Sequence, residues 1–247
     1  MVSINGKSVG IILTYNSASM LGDLYARIPR GVLDEIILVD DASTDNTLEV
    51  AKKLGIPSST HPHRGYGGNI KFGLQKALER GGDYMVEIHG DGQYDPTVIP
   101  MALKKMREGY DFILGSRFMD PKQPLRDGMS FVRYLPNIIL SFFDRLILGV
   151  RLSEFHSGFR LYSRKLLDAT DFNQGSDDHL FSFEIIVLAQ YHNLRIGEVP
   201  IRCDYRKDHT SISMRKSFIY AFQTFYTMLF YLLAKIGLKT KIFRRSR

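Results

Sequence analysis

A chain of 247 residues, 44% of them hydrophobic and 24% charged, has the size and composition of one folded soluble domain. Its single cysteine, Cys203, excludes an internal disulfide and suits a reducing compartment. The net charge of +7 indicates an anionic partner: a nucleotide diphosphate, an acidic membrane surface or nucleic acid. Because the first residues run straight into a strand-like segment, no signal peptide is expected.

The first two-thirds of the chain alternates strand-like and helical patterns, which predicts an α/β domain with a mainly parallel central sheet covered on both faces. We predict one such domain over residues 1–213. The predicted strands are 9–14, 35–40, 84–88, 111–115 and 158–162, with an extended segment at 194–204. The predicted helices lie near 18–29, 46–54, 67–80, 96–108, 130–149 and 178–192, and 119–128 is a polar loop.

Residues 214–247 form an aromatic and basic C-terminal segment. Residues 217–234 carry no formal charge, and a helix of that length is about 27 Å long, just under the hydrocarbon thickness of a bilayer. Aromatic residues with flanking basic groups are typical of a helix lying on an anionic membrane surface. A helix packed on the domain or in a homo-oligomer and a true span are the alternatives. The basic residues are Arg206, Lys207, Arg215, Lys216, Lys235, Lys239, Lys241, Arg244, Arg245 and Arg247.

The stretch His89-Gly90-Asp91-Gly92-Gln93 follows the apolar run at 84–88. If the chain stays extended, the period of two places His89, Asp91 and Gln93 on one side. They would then lie at the carboxyl end of a strand, where open α/β sheets bind ligands. Mg²⁺ and Mn²⁺ accept carboxylate and amide oxygens together with substrate phosphates, and Mn²⁺ tolerates imidazole better. A strand-to-helix turn explains the following Asp95-Pro96 but not these three residues.

Other predicted strands also end in polar residues. Tyr15 can stack on a planar base, and Asp40 or Asp41 can accept hydrogen bonds from its imino group or from ribose hydroxyls. Helix capping explains the neighbouring polar residues but does not require two adjacent aspartates. The glycine-rich stretch at 64–69 opens a helix, where backbone N–H groups can face an anion. Guanidinium groups suit phosphate oxygens, and the candidates are Arg117, Arg133 and Arg160.

These stretches occur in the order found in family 2 glycosyltransferases. Over about residues 8–215 the chain resembles the dolichol-phosphate mannose synthase-like branch, which has the single-domain, Rossmann-like GT-A fold. The stretch at 89–93 occupies the place of that branch's Asp-Ala-Asp-x-Gln metal motif. The other matching stretches are Thr14-Tyr15-Asn16, Val39-Asp40-Asp41-Ala42-Ser43-Thr44-Asp45, the glycine-rich 64–69, Gly115-Ser116-Arg117-Phe118 and His156-Ser157-Gly158-Phe159-Arg160.

The resemblance implies an inverting, metal-dependent transfer of a sugar from a nucleotide diphosphate-sugar to a polyprenyl phosphate. It also implies a peripheral enzyme on the cytoplasmic face of a membrane, with Mg²⁺ or Mn²⁺ as cofactor. Asp91 and Arg117 are the implied catalytic residues. The implied nucleotide contacts are Thr14, Tyr15, Asn16, Asp40, Asp41, Gly67 and Asn69. The implied phosphate contacts are Arg117, Arg133, Ser157 and Arg160, and the implied metal ligands are Asp91, Gln93 and His89.

Two departures from the branch leave alternatives open. His89 replaces the first metal-motif aspartate, and Leu13 and Ser17 replace a proline and a glutamate near the base, so the base is guanine or uracil. A hydroxyl acceptor would need a general base, for which Asp178 and Glu184 are the candidates unless they only cap the 178–192 helix. A non-catalytic nucleotide-binding scaffold is a further alternative. Nucleic-acid binding is disfavoured, because the basic residues flank an apolar helix.

Overall fold

The computed structural model describes residues 6–205, 214–238, 240 and 242–243. Within these ranges the strands form one mixed sheet of seven, in the order β3-β2-β1-β4-β6-β5-β7. The strands are β1 (Ser8–Thr14), β2 (Glu35–Asp40), β3 (Ser58–Thr60), β4 (Tyr84–His89), β5 (Phe112–Ser116), β6 (Arg160–Ser163) and β7 (Ile196–Pro200). The helices are α1 (Ala18–Arg27), α2 (Thr47–Lys53), α3 (Tyr66–Glu79), α4 (Ile99–Arg107), α5 (Gln123–Arg126), α6 (Phe131–Leu148), α7 (Arg164–Ala169), α8 (Phe181–Tyr191) and α9 (Met214–Lys235).

The central strand β1 shows why helices cover both faces of the sheet. All its residues are buried, and alternate side chains enter different apolar clusters. Ile11 packs into a cluster with residues of α3 and α8, whereas Ile12 packs into a cluster with residues of α1 and α4. A strand with two buried faces needs a continuous apolar run, which is the pattern that predicted it. The predicted α/β class with a mainly parallel sheet is confirmed.

Strand β6 runs antiparallel to both of its neighbours, β4 and β5, whereas the other strand pairs of the sheet are parallel. Leu161 lies opposite Val86 on one side and Ile113 on the other. Because β6 is reversed, it begins at the sheet edge where β4 and β5 end. The segment before β6, residues 149–159, therefore lies at the edge that carries the candidate site.

Helix α9 occupies part of the predicted C-terminal segment and packs against α8 and α6. Within the described residues, no helix has the length and hydropathy needed to cross a bilayer. Several of the basic residues on which the membrane-surface prediction depends lie outside the described residues: Arg206, Lys207, Lys239, Lys241, Arg244, Arg245 and Arg247.

Candidate active site

Strand β4 ends at His89, and the chain turns at once. Gly92 N donates to the carbonyl of His89 at 3.0 Å, and Gly92 has a φ of 64°, which favours glycine. The prediction that His89, Asp91 and Gln93 line one side of an extended chain is wrong, because this turn follows His89. The period of two holds only within the strand. There it places His89 beside Glu87, with Nε2 2.9 Å from Oε1.

A buried polar network surrounds this pair. Glu87 is only 1% exposed, and its carboxylate accepts hydrogen bonds from the hydroxyls of Tyr66, at 3.2 Å, and Tyr162. The Tyr66 hydroxyl also lies 3.3 Å from Nε2 of His89. Burial and the nearby Glu87 charge raise the pKa of both tyrosines, so both hydroxyls remain protonated as donors. Nε2 of His89 is therefore engaged within the protein, and metal binding by this ring would require Nδ1.

His89 is expected to make the folded protein more stable below neutral pH than above it. Burial lowers the pKa of its imidazole, but the hydrogen bond and charge of Glu87 outweigh burial, and the pKa is raised. A pKa raised on folding gives stability that is complete below the unfolded value of about 6.5 and is lost as pH rises through the folded value. We expect the unfolding free energy from urea titrations to fall above about pH 6.5. Glu87→Gln should flatten this slope, and an unchanged slope would assign it to another group.

The predicted nucleotide contacts gather where β1 and β2 end. The Thr14 hydroxyl donates to Asp40 Oδ1 at 3.0 Å, and the amide of Asn69 donates to the Thr14 carbonyl at 3.2 Å. Asp41 accepts hydrogen bonds from the backbone N–H groups of Arg64, at 2.7 Å, and Gly65, at 3.0 Å. The two aspartates are buried and hold the loops together. Their predicted contacts with a nucleotide remain predictions.

Tyr15 and Asn16 lie at the surface beside these aspartates. The Tyr15 side chain is 52% exposed, and its ring lies 5.0 Å from that of His63, so an aromatic surface is open beside Asp41. Asn16 Oδ1 accepts the N–H of Thr44 at 2.8 Å, which ties the end of β1 to the loop after β2. The stacking of Tyr15 on a base remains a prediction, and Asn16 has a role in shaping the loop.

The glycine-rich start of α3 is covered by another part of the chain. Gly68 N donates to the carbonyl of Asp177 at 3.1 Å, and a Cβ at Gly67 would lie 2.6 Å from the carbonyl oxygen of Ser176. Close packing therefore requires glycine at 67, whatever contact this position makes with a nucleotide. Asp178 is exposed in the covering segment. The buried Glu184 accepts the N–H of Ser176 at 2.6 Å, and because Ser176 precedes α8, this contact anchors the covering segment and is not the predicted helix cap.

Arg117 follows β5 and forms a buried ion pair. Its Nε donates to Glu154 Oε1 at 2.8 Å, its backbone N–H donates to Oε2 at 2.7 Å, and Nη2 also contacts this carboxylate. Glu154 is fully buried, and Nη1 of Arg117 donates to the hydroxyl of Tyr205 at 2.8 Å. Burial lowers the pKa of Arg117, but the Glu154 charge more than compensates, and the pKa is raised. Arg117 is therefore fixed in place as a permanent cation.

The other predicted phosphate contacts have different surroundings. Arg160 is fully buried and donates to the carbonyl of Ser157 at 2.9 and 3.1 Å and to that of Ser182. The buried Ser157 donates to the carbonyl of Gly115. Arg133 is exposed in the first turn of α6. Of these three side chains, Arg133 is the one that the fold leaves open to an incoming ligand.

Several contacts join the turn at 89–93 to the other strand ends. Gly90 N donates to the carbonyl of Leu13 at 2.8 Å, next to Thr14. Gly158 N donates to the hydroxyl of Tyr94 at 2.9 Å, and the carbonyl of Gln93 accepts the N–H of Asp204 at 3.0 Å. The structure thus brings the end of β1, the turn at 89–93 and the segment before β6 together at one edge of the sheet.

Gly158→Ala is expected to disturb this junction. A Cβ at Gly158 would lie 2.7 Å from Nε2 of His89 and 2.9 Å from Tyr94, too close for a real contact, so the rings or the backbone must shift. We expect the unfolding free energy to fall by about 1–3 kcal/mol in urea titrations. Gly22→Ala is the matched control, because the exposed face of α1 is open there. It should stabilise the protein by about 0.5–1 kcal/mol, and equal effects of the two substitutions would contradict the packing argument.

The side chains of Asp91 and Gln93 suit a divalent cation that takes most of its ligands from the substrate and from water. Asp91 is partly exposed, and its Oδ1 accepts the N–H of Gln93 at 3.0 Å. Within the described residues, no three His, Cys, Asp or Glu side chains form a metal cluster. Mg²⁺ is commonly bound through one or two carboxylates with substrate phosphates and water, and Asp91 with Gln93 fits that mode.

Sequence reasoning missed four members of the site: Glu87, Glu154, Tyr66 and Tyr205. Glu87 carried a usable signal, because it is the one charged residue in the apolar run at 84–88. A buried charge is paired in a folded protein, so its presence in a buried strand predicts a partner. The contact of Arg117 with Glu154 and Tyr205 joins residues far apart in the chain, and no local pattern indicates it.

Comparison with known proteins places these features in a family. The sequence profile of the family described as "Glycosyl transferase family 2" matches residues 10–170. The chain is 27% identical over 245 residues to UDP-N-acetylglucosamine--dolichyl-phosphate N-acetylglucosaminyltransferase of Methanococcus voltae, covering 92% of this chain and 96% of that protein. It is 31% identical to undecaprenyl-phosphate mannosyltransferase of Micrococcus luteus, covering 77% and 81% of the two chains.

The fold is also found among solved structures. Glucosyl-3-phosphoglycerate synthase from Mycobacterium tuberculosis, in complex with Mn²⁺, UDP and glucosyl-3-phosphoglycerate, superposes with a TM-score of 0.68 at 17% identity. The alignment covers 97% of this chain and 83% of the synthase. The same synthase has been solved with Mg²⁺ and UDP. The family profile covers more than half of the chain, including the turn at 89–93 and Arg117, and the chain belongs to the family 2 glycosyl transferases.

Proposed function

We propose that this protein transfers a sugar from a nucleoside diphosphate-sugar to a polyprenyl phosphate. The observation that carries the proposal is the similarity, over nearly the whole chain, to a transferase named for a dolichyl-phosphate acceptor. A second relative is named for undecaprenyl phosphate. Uracil is the favoured base, since UDP occurs in the name of the first relative and in the solved synthase.

In the proposed reaction the exposed ring of Tyr15 stacks on the base, beside the loops that Asp40 and Asp41 hold. Asp91 and Gln93 would hold Mg²⁺ or Mn²⁺ against the donor's diphosphate. A divalent cation supplies stabilisation of the negative charge that grows on the leaving diphosphate. Arg117, fixed by Glu154, adds a preorganised positive charge to this edge of the sheet.

The acceptor side of the proposal needs no general base. A phosphate oxygen is already anionic near neutral pH, so it can attack the anomeric carbon directly and invert its configuration. The exposed Arg133 is proposed to contact that phosphate, as a guanidinium suits phosphate oxygens. A reaction without a general base agrees with the structural role of Glu184, whose carboxylate accepts the N–H of Ser176.

The test incubates the full chain with labelled UDP- and GDP-sugars, Mn²⁺ or Mg²⁺, and either polyprenyl phosphate or hydroxyl acceptors. We expect transfer to polyprenyl phosphate, and loss of transfer when the divalent cation is chelated. Transfer only to hydroxyls, abolished by Asp178→Asn or Glu184→Gln, would establish the hydroxyl-acceptor alternative instead. Absence of transfer, with no cation-enhanced binding of UDP in calorimetry, would favour a non-catalytic scaffold.

We also propose that residues 1–213 form the catalytic domain and that residues 214–247 attach it to the cytoplasmic face of a membrane. The support is chemical. Aromatic side chains of α9 are exposed, as in Phe222 at 76%, and the sequence that follows is basic. An enzyme whose acceptor is a membrane lipid gains from a position at the membrane surface.

A further inference from the structure

The carboxylate of Asp40, at the end of β2, is fully occupied within the protein. Asp40 is 0% exposed, and its oxygens accept hydrogen bonds from the hydroxyls of Thr14, Thr60 and Ser43 and from the N–H of Ser43. A carboxylate offers about four acceptor positions, so these donors fill it. The imino group of a bound base could reach Asp40 only by displacing one of them.

Asp41 is also shielded from solvent. It is 3% exposed, and its oxygens accept the backbone N–H groups of Arg64 and Gly65. A further contact is with His63, whose Nδ1 lies 2.9 Å from Oδ2 of Asp41 and 3.2 Å from its carbonyl oxygen. His63 therefore lies between this buried aspartate and the solvent.

His63 differs from the other histidine of the same loop. His61 is buried, and both of its nitrogens are engaged: Nε2 lies 3.1 Å from Asn69 Oδ1, and Nδ1 lies 2.8 Å from the carbonyl oxygen of Pro62. The side chain of His63 is 59% exposed, and within the described part of the chain its Nε2 has no hydrogen-bond partner. His61 thus holds the loop, whereas His63 is held by it and is open to a ligand.

The contact with Asp41 determines which nitrogen of His63 can accept a hydrogen bond. An ionised carboxylate and a carbonyl only accept, so Nδ1 carries the hydrogen. In the neutral ring, Nε2 then has the lone pair. The fold therefore presents an outward acceptor in a fixed orientation.

Tyr15 lies next to this acceptor. The rings of Tyr15 and His63 are 5.0 Å apart and tilted by 37°, and Tyr15 is 52% exposed. A base that stacks on Tyr15 has an edge beside the imidazole. Uracil and guanine carry an imino N–H on their hydrogen-bonding edge, whereas cytosine and adenine carry a lone pair at the equivalent nitrogen. An acceptor at His63 suits the first two bases and repels the other two.

We propose that His63 recognises the base of the donor by accepting its imino N–H at Nε2. This inference rests on the proposed function and deepens it, with uracil as the favoured base. Asp41 is a positioning residue in this arrangement, because its carboxylate sets the tautomer and orientation of the imidazole without contact with the base.

The test is isothermal titration calorimetry of the full chain with UDP and with CDP, in the presence of Mn²⁺ and at about pH 8. UDP and CDP differ only on the edge of the base that His63 is proposed to contact. We expect the native protein to bind UDP at least about tenfold more tightly than CDP, because cytosine would place a lone pair against that of Nε2.

Two substitutions separate base recognition from the other contacts of the ring. His63→Phe keeps an aromatic ring beside Tyr15 but removes both nitrogens. His63→Asn keeps an amide N–H that can donate to Asp41 but removes the outward acceptor. Each should weaken UDP binding about tenfold and leave CDP binding nearly unchanged, so that the preference for uracil disappears.

His192→Asn is the matched control. His192 precedes β7, which runs parallel to β5, so it lies at the opposite edge of the sheet from the candidate site. This substitution should leave both affinities unchanged. Circular dichroism checks that each variant folds.

Undiminished UDP binding by His63→Phe would reduce His63 to part of a stacking surface, and undiminished binding by His63→Asn would reduce it to a support for Asp41. Either result would overturn the inference while leaving the proposed function intact. A native protein that binds neither nucleotide would instead contradict the proposed function itself. The two can therefore be told apart without measuring sugar transfer.

Discussion

Asp91→Asn is expected to lower sugar transfer at least about a thousandfold while leaving the protein folded. In the native protein, Asp91 Oδ1 accepts the N–H of Gln93 at 3.0 Å. The amide oxygen of the substituted asparagine can accept the same N–H, so the turn is preserved. What disappears is the negative charge proposed to hold the divalent cation. Stabilisation of a leaving diphosphate by a cation accounts for several kcal/mol of the barrier, at about 1.4 kcal/mol for each factor of ten. Initial rates with labelled donor measure the loss of transfer. Calorimetry of UDP with and without Mn²⁺ measures the loss of cation-enhanced binding.

Asp95→Asn is the matched control for that substitution. Asp95 lies four positions further along and caps the next helical turn by accepting the N–H of Thr97 at 3.0 Å, which an amide oxygen can also do. We expect this variant to retain the rate and the cation-enhanced binding of UDP. Full transfer by Asp91→Asn would remove the turn at 89–93 from the mechanism.

Arg117→Met is expected to impair both stability and transfer. It leaves the fully buried Glu154 without its cation, and breaking a buried ion pair from one side costs about 3–5 kcal/mol. The unfolding free energy from urea titrations should fall by that amount. Transfer should fall as well, since a fixed positive charge is lost beside the proposed diphosphate position.

A second substitution separates these two effects. Arg117→Met combined with Glu154→Gln removes both charges, so most of the stability should return while transfer stays low. Arg126→Met is the control, because its ion pair with Asp120 is exposed, with side-chain exposures of 62% and 52%, and such pairs contribute at most about 1 kcal/mol. Recovery of transfer in the double variant would show that Arg117 acts only through the fold.

Strands β1, β2, β4 and β5 were the most predictable part of the fold, because each is a largely apolar run between turn residues. The predicted strand at 35–40 coincides with β2, and the predicted strand at 84–88 differs from β4 by one residue. Strand β3 and helices α5 and α7 were missed, and the prediction of a polar loop over 119–128 is wrong where α5 forms. Strand β3 has three residues of polar sequence, Ser58–Thr60, and is held by its pairing with β2 rather than by an apolar pattern of its own.

The meeting of polar strand ends at one edge of the sheet was predictable, but the contacts among these residues were not. Strand ends bearing polar residues indicated the edge of the sheet, and the structure brings them together there. The prediction of an extended arrangement after β4 was wrong, because the alternation of side chains along a strand does not continue through a turn. Nor does a linear pattern show that Asp144, in a helix that otherwise looks apolar, faces inward to His156. Such contacts depend on the tertiary structure.

The reversed strand β6 has a consequence for the order in which the chain folds during synthesis. Among the strands that the structure describes, β1 to β4 pair with one another within the first 89 residues, and one edge of β4 later receives β6. Within the same described residues, β5 pairs only with β6 and β7, both of which emerge later from the ribosome. Its apolar run therefore waits without a partner until residue 160 is made. This interval is when the nascent chain is most exposed to aggregation, and when a chaperone would matter most.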